Sequence, residues 1–442
     1  MSVVAQTIKH AFGTAPICGH HSFLGGRHPR VHRGLLRLFV VLMTSCGVTA
    51  YAEPASTDAA EQSETSPLGF SSPRSVEGTL TDTAERQREG FLAEIRAHKV
   101  TLEARTGLTY GFDNHTQYLD TNSDKSPSDA ASNVTRFYGT WTAFGQGKPD
   151  NGALVFKVEY RTAIGDRIST QQLGPSLGYA GTFASTYSDA GLILTNFYWR
   201  QRFAGGRGSF VIGQVDTYDY VNVNSLASPW TAFTNLAFEH QSTYPGPSQG
   251  LGAALQWRLN DNWAVLGGFA DANADPSDPW ESAKTLFDTG ETFKHLAIGW
   301  SPDWGDRPNQ LVQLTVWQMD ERKDAGVEDG HGVSFAASAR IHNWRPFFRA
   351  GHAEGGGAIL ERAVSVGLGY DARGGKDLAG IGVDWGRAPD NSRNQYTLEA
   401  FYRYDMTGFL QLTPQIQYVV NPAYDPQTDN ILVIGVRLRV FF

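Results

Sequence analysis

From about residue 100 onward, apolar and polar residues alternate with a period of two, the spacing of a strand with unlike faces. In ILVIGVRLRVFF, at 431–442, Leu432, Ile434, Val436, Leu438, Val440 and Phe442 share one side, while Val433, Gly435, Arg437, Arg439 and Phe441 share the other. A guanidinium stays charged, so the second face must meet water, an anion or a carboxylate. In GALVFKVEYRT, at 152–162, Leu154, Phe156, Val158 and Tyr160 oppose Lys157, Glu159 and Arg161. In YTLEAFYRYD, at 396–405, Tyr396, Leu398, Ala400, Tyr402 and Tyr404 oppose Thr397, Glu399, Phe401, Arg403 and Asp405. At 410–419, Leu410, Leu412, Ile416 and Tyr418 oppose Gln411, Thr413, Gln415 and Gln417.

About sixteen such segments follow one another, near 100–112, 134–144, 152–162, 190–203, 208–216, 249–259, 262–271, 292–301, 309–319, 331–342, 345–353, 360–372, 376–386, 394–405, 408–420 and 430–442. Many are long enough for a tilted strand to cross a bilayer. Tight links at Asn260-Asp261, Asn343-Trp344, Arg373-Gly374-Gly375 and Met406-Thr407 alternate with long ones at 113–133, 163–189, 217–248 and 272–291. Short turns on one side and long loops on the other predict an all-β fold, a transmembrane antiparallel β-barrel whose even strand count leaves both ends on the periplasmic side. A soluble sandwich also alternates, but it needs a second sheet to cover its apolar face.

The first residues stand apart from this pattern. Arg27, Arg30, Arg33 and Arg37 lead into LLRLFVVLMTSCGVTAYA, so residues 1–52 read as a signal peptide cleaved after Ala52; a lipobox at Cys46 is the rival reading. Removing them takes away five basic and no acidic residues, making the processed chain more acidic than the formal −8 of the whole and a poor nucleic-acid binder. Both cysteines, Cys18 and Cys46, leave too, so packing and the hydrogen-bond ladder must hold the fold. Residues 53–99 form a flexible lead-in and a short periplasmic helix at 82–98, with Asp82 as its N-cap, that could lie as a lid or contact under the barrel; the barrel proper is expected from residue 100 to 442. With 48 glycines, 12% aromatics and only 4 methionines, composition favours turns and strands.

Several stretches taken in order resemble the carbohydrate-selective porin family of Gram-negative outer membranes, the OprB type. They are Ile212-Gly213-Gln214-Val215-Asp216 with Tyr218 and Tyr220, Phe233-Thr234-Asn235-Leu236-Ala237-Phe238, Gly250-Leu251-Gly252-Ala253, and Thr413-Pro414-Gln415-Ile416-Gln417-Tyr418 through Asn421-Pro422 to Phe442. The resemblance covers roughly residues 100–442 and implies a sixteen-stranded barrel, often a homotrimer in outer-membrane lipid, that lets glucose and similar small carbohydrates cross passively. Gln214 departs from it, at a position where the family often has a basic residue, which puts the sugar preference in question.

Selectivity for a neutral sugar needs lumen donors and acceptors for hydroxyls. By parity the lumen candidates are Arg105, Lys157, Glu159, Arg161, Asn196, Tyr198, Arg200, Gln214, Asp216, Arg258, Glu399, Arg403, Arg437 and Arg439. Closure of the last strand on the first would bring Arg105, Arg437 and Arg439 into one basic wall, which also suits a general or anion-preferring porin. The loops 163–189 and 217–248, carrying Tyr179, Tyr187, Trp230, Phe233 and His240, are candidates to fold inward. A barrel-borne enzyme finds little support: H-E-x-x-H does not occur, and no cysteine is left after processing. His331, beside Glu328 and Asp329, reads as a solvated loop rather than a metal ligand, and no cofactor is implied.

Overall fold

The computed structural model describes residues 70–86, 91–302, 310–389 and 393–442; the signal and most of the lead-in lie outside them. Two helices, α1 (Val76–Arg86) and α2 (Phe91–Thr106), precede the strands. The strands are β1 Leu108–Thr121, β2 Asp129–Phe144, β3 Gly152–Ala163, β4 Gly191–Phe203, β5 Gly208–Val215, β6 Gly250–Arg258, β7 Trp263–Asp271 and β8 Thr292–Trp300. They continue as β9 Gln310–Met319, β10 Gly330–Ala339, β11 Trp344–Gly355, β12 Arg362–Ala372, β13 Asp377–Arg387, β14 Asn394–Thr407, β15 Leu410–Val420 and β16 Asn430–Phe441. Each pairs with its sequence neighbours, and β16 pairs antiparallel with β1 to close the barrel.

Closure leaves no sheet edge to be satisfied in hydrocarbon. Phe442 completes the seam, exchanging backbone hydrogen bonds with Phe112 at 3.1 and 2.8 Å. Facing assignments follow the sequence: Val436 and Leu438 are 40% and 39% exposed on the outside, whereas Arg437 and Arg439 are each 1% exposed within. Trp141, Trp263 and Trp344 stand on the outer face near the short turns, and Tyr160, Tyr396 and Tyr418 near the long loops, the two aromatic girdles of a membrane barrel. Among the described residues no helix is long and apolar enough to cross a membrane.

The N-terminal end differs from expectation. In place of one helix at 82–98 there are two, and Asp82 lies inside α1 rather than at its cap. The first strand begins at Leu108, not near 100, because Ala93, Glu94, Ala97, Lys99, Leu102, Glu103 and Ala104 are helix formers whose propensity overrides a short alternation. Gly107 ends α2 in the left-handed region at φ 75°, its N–H donating to Glu103 O at 2.7 Å. The expected long loop at 113–133 shrinks to 122–128: β1 and β2 extend through it, carrying polar residues on both faces.

Candidate functional site in the barrel lumen

Three segments fill the lumen. The 216–249 loop turns inward, with Trp230, Phe233 and His240 buried; the 164–190 loop follows it with Tyr179 and Tyr187 buried. Both loops that the sequence offered as candidates to fold inward do so. They lock together: Tyr179 donates to Asn235 Oδ1 at 2.8 Å, Leu236 N–H to Thr182 O at 3.1 Å, and Ser185 N–H to Thr234 O at 3.1 Å. A short helix, α3 (Thr170–Ser176), seats the 164–190 loop on the wall, Thr170 Oγ1 donating to Gln117 Oε1 at 3.0 Å.

Inward glycines make room for the 216–249 loop. A Cβ on Gly382 would stand 2.7 Å from the Phe238 ring, one on Gly351 would strike Thr243, and one on Gly369 would press Leu226 at 3.0 Å. Phe233 and Phe238 then pack with Phe347, Leu378 and Phe401 of the wall. Charged wall residues hold the loop by its backbone. Arg437 donates to Pro229 O at 2.5 Å and to Ala232 O at 3.0 Å, and Arg349 to Ala237 O at 3.1 Å. Glu399 accepts from the N–H groups of Thr234 and Asn235, each at 3.0 Å.

The third segment is residues 70–86, containing α1. It runs inside the barrel, with Phe70 edge-on to Tyr220 at 5.3 Å and Val76 in a cluster with Tyr138, Val155 and Tyr198. Burial would raise the carboxyls of Glu77 and Asp82, but Arg200 and Arg202 around the first, and Arg86 and Arg439 around the second, hold both below the usual carboxylate range. Asp219, in the 216–249 loop, goes the other way: burial pushes it up to about 6 despite Lys157 and Arg74. Burial likewise holds His240 neutral, its pKa well below the ordinary value.

The sequence candidates separate by role. Lys157 lies 3.9 Å from Glu159 and 3.6 Å from Asp219; Arg161 pairs with Glu159 at 2.6 Å; Asn196 donates to Asp219 at 3.1 Å. Tyr198 is buried in the apolar cluster, and Arg200 bonds Glu77 and, at 2.9 Å, Asn151. Gln214 donates to Leu194 O and Gln249 O at 3.1 and 3.0 Å, and Asp216 caps the turn at 217–219 through Tyr218 N–H. Arg258 reaches Gly206 O at 3.0 Å, at a short turn rather than beside the loops. Arg105 is misplaced in the sequence reading: it sits exposed on α2, so the predicted wall of Arg105, Arg437 and Arg439 does not exist. The acidic partners of Arg439 are Asp113 at 3.4 Å and Asp82 at 3.1 Å, with Arg136 gripping Asp113 through a 2.7 Å bond and lying 3.9 Å over the Trp230 ring. Asp113 was hidden because 113–133 looked like loop, although Asp113, His115 and Gln117 alternate there, whereas Arg136 lay in the expected strand near 134–144 and was not singled out.

Below the loops, toward the short turns, a cavity of about 740 Å³ opens between the 70–86 segment, the 216–249 loop and the wall. Arg86, Arg340, Arg345, Arg373, Lys376 and Arg403 line it against Asp82, Glu85 and Asp405. Arg403 donates to Thr231 O at 3.0 Å, while its buried Nε has no hydrogen-bond partner among the described residues. His331 is exposed, 3.9 Å from Glu354. Among the described residues no group of three or more His, Cys, Asp or Glu side chains could hold a metal ion.

A closed sixteen-stranded barrel with an apolar outer band, one-sided long loops and a polar lumen narrowed by inward loops is a porin of the outer membrane. The Carbohydrate-selective porin, OprB family matches residues 152–442, more than half the chain, and the protein belongs to that family. Porin AaxA of Chlamydia pneumoniae is 24% identical over 278 residues, covering 59% of this chain and 62% of that relative, so the chain spans less than two thirds of its length. The high pH structure of Pseudomonas putida OprB superposes with a TM-score of 0.63 at 15% identity, covering 80% of this chain and 97% of that one. An anion-selective porin from Comamonas acidovorans reaches 0.50 at 10% identity, covering 76% and 99%. At these identities the structural likeness speaks for the fold alone.

Proposed function

We propose that this barrel passes small carbohydrates such as glucose by passive diffusion, with no chemical step. The observation that carries the reading is the pairing of lumen charge: Arg136 with Asp113, Arg161 with Glu159, Arg200 with Glu77 and Arg439 with Asp82. Paired charges give a neutral polyol many hydrogen-bond partners while offering a free ion little net field. The cavity lies within the range of roughly 300–1,000 Å³ that small-molecule sites occupy. Stepwise conductance in a planar bilayer, reduced saturably by glucose, is the expected result; conductance indifferent to glucose would sink the sugar reading.

Anion passage is the second reading, favoured by the excess of basic over acidic side chains around the cavity. The reversal potential under a KCl gradient separates the two. The reading includes self-association as a homotrimer, supported by polar side chains on the lipid side of β1 and β2. There Asn114 and Asn133 bond each other at 2.9 Å, and Asn133 bonds Thr116 at 2.8 Å.

A further inference from the structure

Residues 70–86 contribute nothing to the sheet, yet they lie within it, and their charges match what surrounds them. Glu77 pairs with Arg200 and, at 3.2 Å, with Arg202, both at the short-turn end of β4. Among the described residues Glu77 is the carboxylate that those two arginines share. Asp82 pairs with Arg439 of β16 at 3.1 Å, and Thr83 lies 3.4 Å from the same guanidinium. The bases of the segment find acids in turn. Arg74 faces Asp219 at 3.5 Å and pairs with Glu239, both of the 216–249 loop, while Arg86 reaches Asp405 at 2.7 Å and Lys376 O at 3.0 Å near the short turns. Apolar contacts complete the seat: Val76 is 1% exposed, and Phe70 meets Tyr220.

From this two-sided match we propose that residues 70–86 are a resident strap that sets the channel's selectivity, narrowing the bore below the two inward loops and cancelling lumen charge of both signs. The inference deepens the channel reading above and rests on it. A free acidic tail would pair with arginines only; this one carries acids toward the wall arginines and bases toward the loop and turn carboxylates. Burying charges inside a barrel is costly unless each is paired, so the match is what keeps the strap seated. Unseated, it would leave Arg200 and Arg202 without a carboxylate, and Asp405 without its arginine.

The test reads ions, not sugar, so it stands apart from the glucose experiment: a wild-type channel indifferent to glucose would overturn the sugar reading and leave this one intact. Three variants of the full chain are compared in planar bilayers under a KCl gradient. Glu77→Gln with Asp82→Asn keeps size and helix and removes two negative charges, so its reversal potential shifts toward chloride. Arg74→Gln with Arg86→Gln removes two positive charges and shifts it toward potassium. Deletion of 70–86 raises the conductance step. Opposite shifts from the two charge variants establish the strap; reversal potentials equal to wild type in both would overturn it, whether or not the deletion variant assembles. A deletion variant that inserts with the wild-type step would remove the strap from the bore.

Discussion

Glu399 accepts hydrogen bonds from the backbone N–H groups of Thr234 and Asn235, both at 3.0 Å, so a strand carboxylate ties down an inward loop from across the lumen. An intramolecular hydrogen bond contributes about 0.5–1.5 kcal/mol net, and a buried donor left without a partner costs about 1–3 kcal/mol. Glu399→Ala is therefore expected to loosen the 216–249 loop without disturbing the outer ladder. The channel should show a larger, noisier conductance at nearly unchanged barrel melting. A quiet channel of wild-type conductance would mean that the aromatic cluster alone holds the loop.

Gly382 tests the same loop by shape. Its Cβ would stand 2.7 Å from the Phe238 ring, so Gly382→Val must push Phe238 out of its seat against Phe347 and Phe401. Overpacking of this kind costs about 1–3 kcal/mol. Cleavage of the 216–249 loop by added protease should accelerate relative to wild type, and equal cleavage rates would refute the packing role.

Strand count, facing and the two inward loops were legible because the outer face must be apolar wherever lipid touches it, and that demand writes a period of two into the chain. The Arg437 face and the Lys157-Glu159-Arg161 face were read from it directly. The signal failed where it was locally mimicked or erased. Val100, Leu102 and Ala104 alternate by chance within helix formers, which placed Arg105 in a strand it does not occupy. Asn114 and Thr116 put polar groups on the outer face of β1, which disguised a strand as a loop and hid Asp113. Periodicity also reports which way a side chain points but not what it meets. Arg437 and Glu399 were read as sugar ligands, yet both bond backbone groups of the folded-in loop. The course of residues 70–86 through the lumen left no periodic trace, because a segment surrounded by protein faces neither lipid nor water uniformly.

The polar outer face of β1 and β2 supports a third expectation. Asn114 also bonds Thr135, at 2.7 Å, so the cluster is self-satisfied but faces hydrocarbon in an isolated barrel. Interhelical polar contacts in membranes are worth about 0.6–2 kcal/mol, and a comparable gain is expected for burying this cluster against a second copy. Asn114→Leu with Asn133→Leu should leave the barrel folded and reduce its mass in mild detergent from that of an assembly to that of a single chain, as read by analytical ultracentrifugation. A wild-type protein already monomeric in that detergent, or an assembly unmoved by the substitutions, would rule this face out.

Asp219 supplies the pH dependence. Burial raises its carboxyl to about 6 against the pull of Lys157 and Arg74, so the group is charged above that pH and neutral below it. Lowering the pH through about 6 therefore removes one negative charge from among Lys157, Arg74 and Asn196. The field in the bore becomes more positive, and chloride permeability relative to potassium should rise on acidification, with its midpoint near that value. Asp219→Asn fixes the neutral form: its reversal potential at neutral pH should resemble that of the wild type in acid, and the titration step should disappear. If the step persists in Asp219→Asn, the titrating group lies elsewhere on the barrel, and the charge balance around the strap does not depend on this loop.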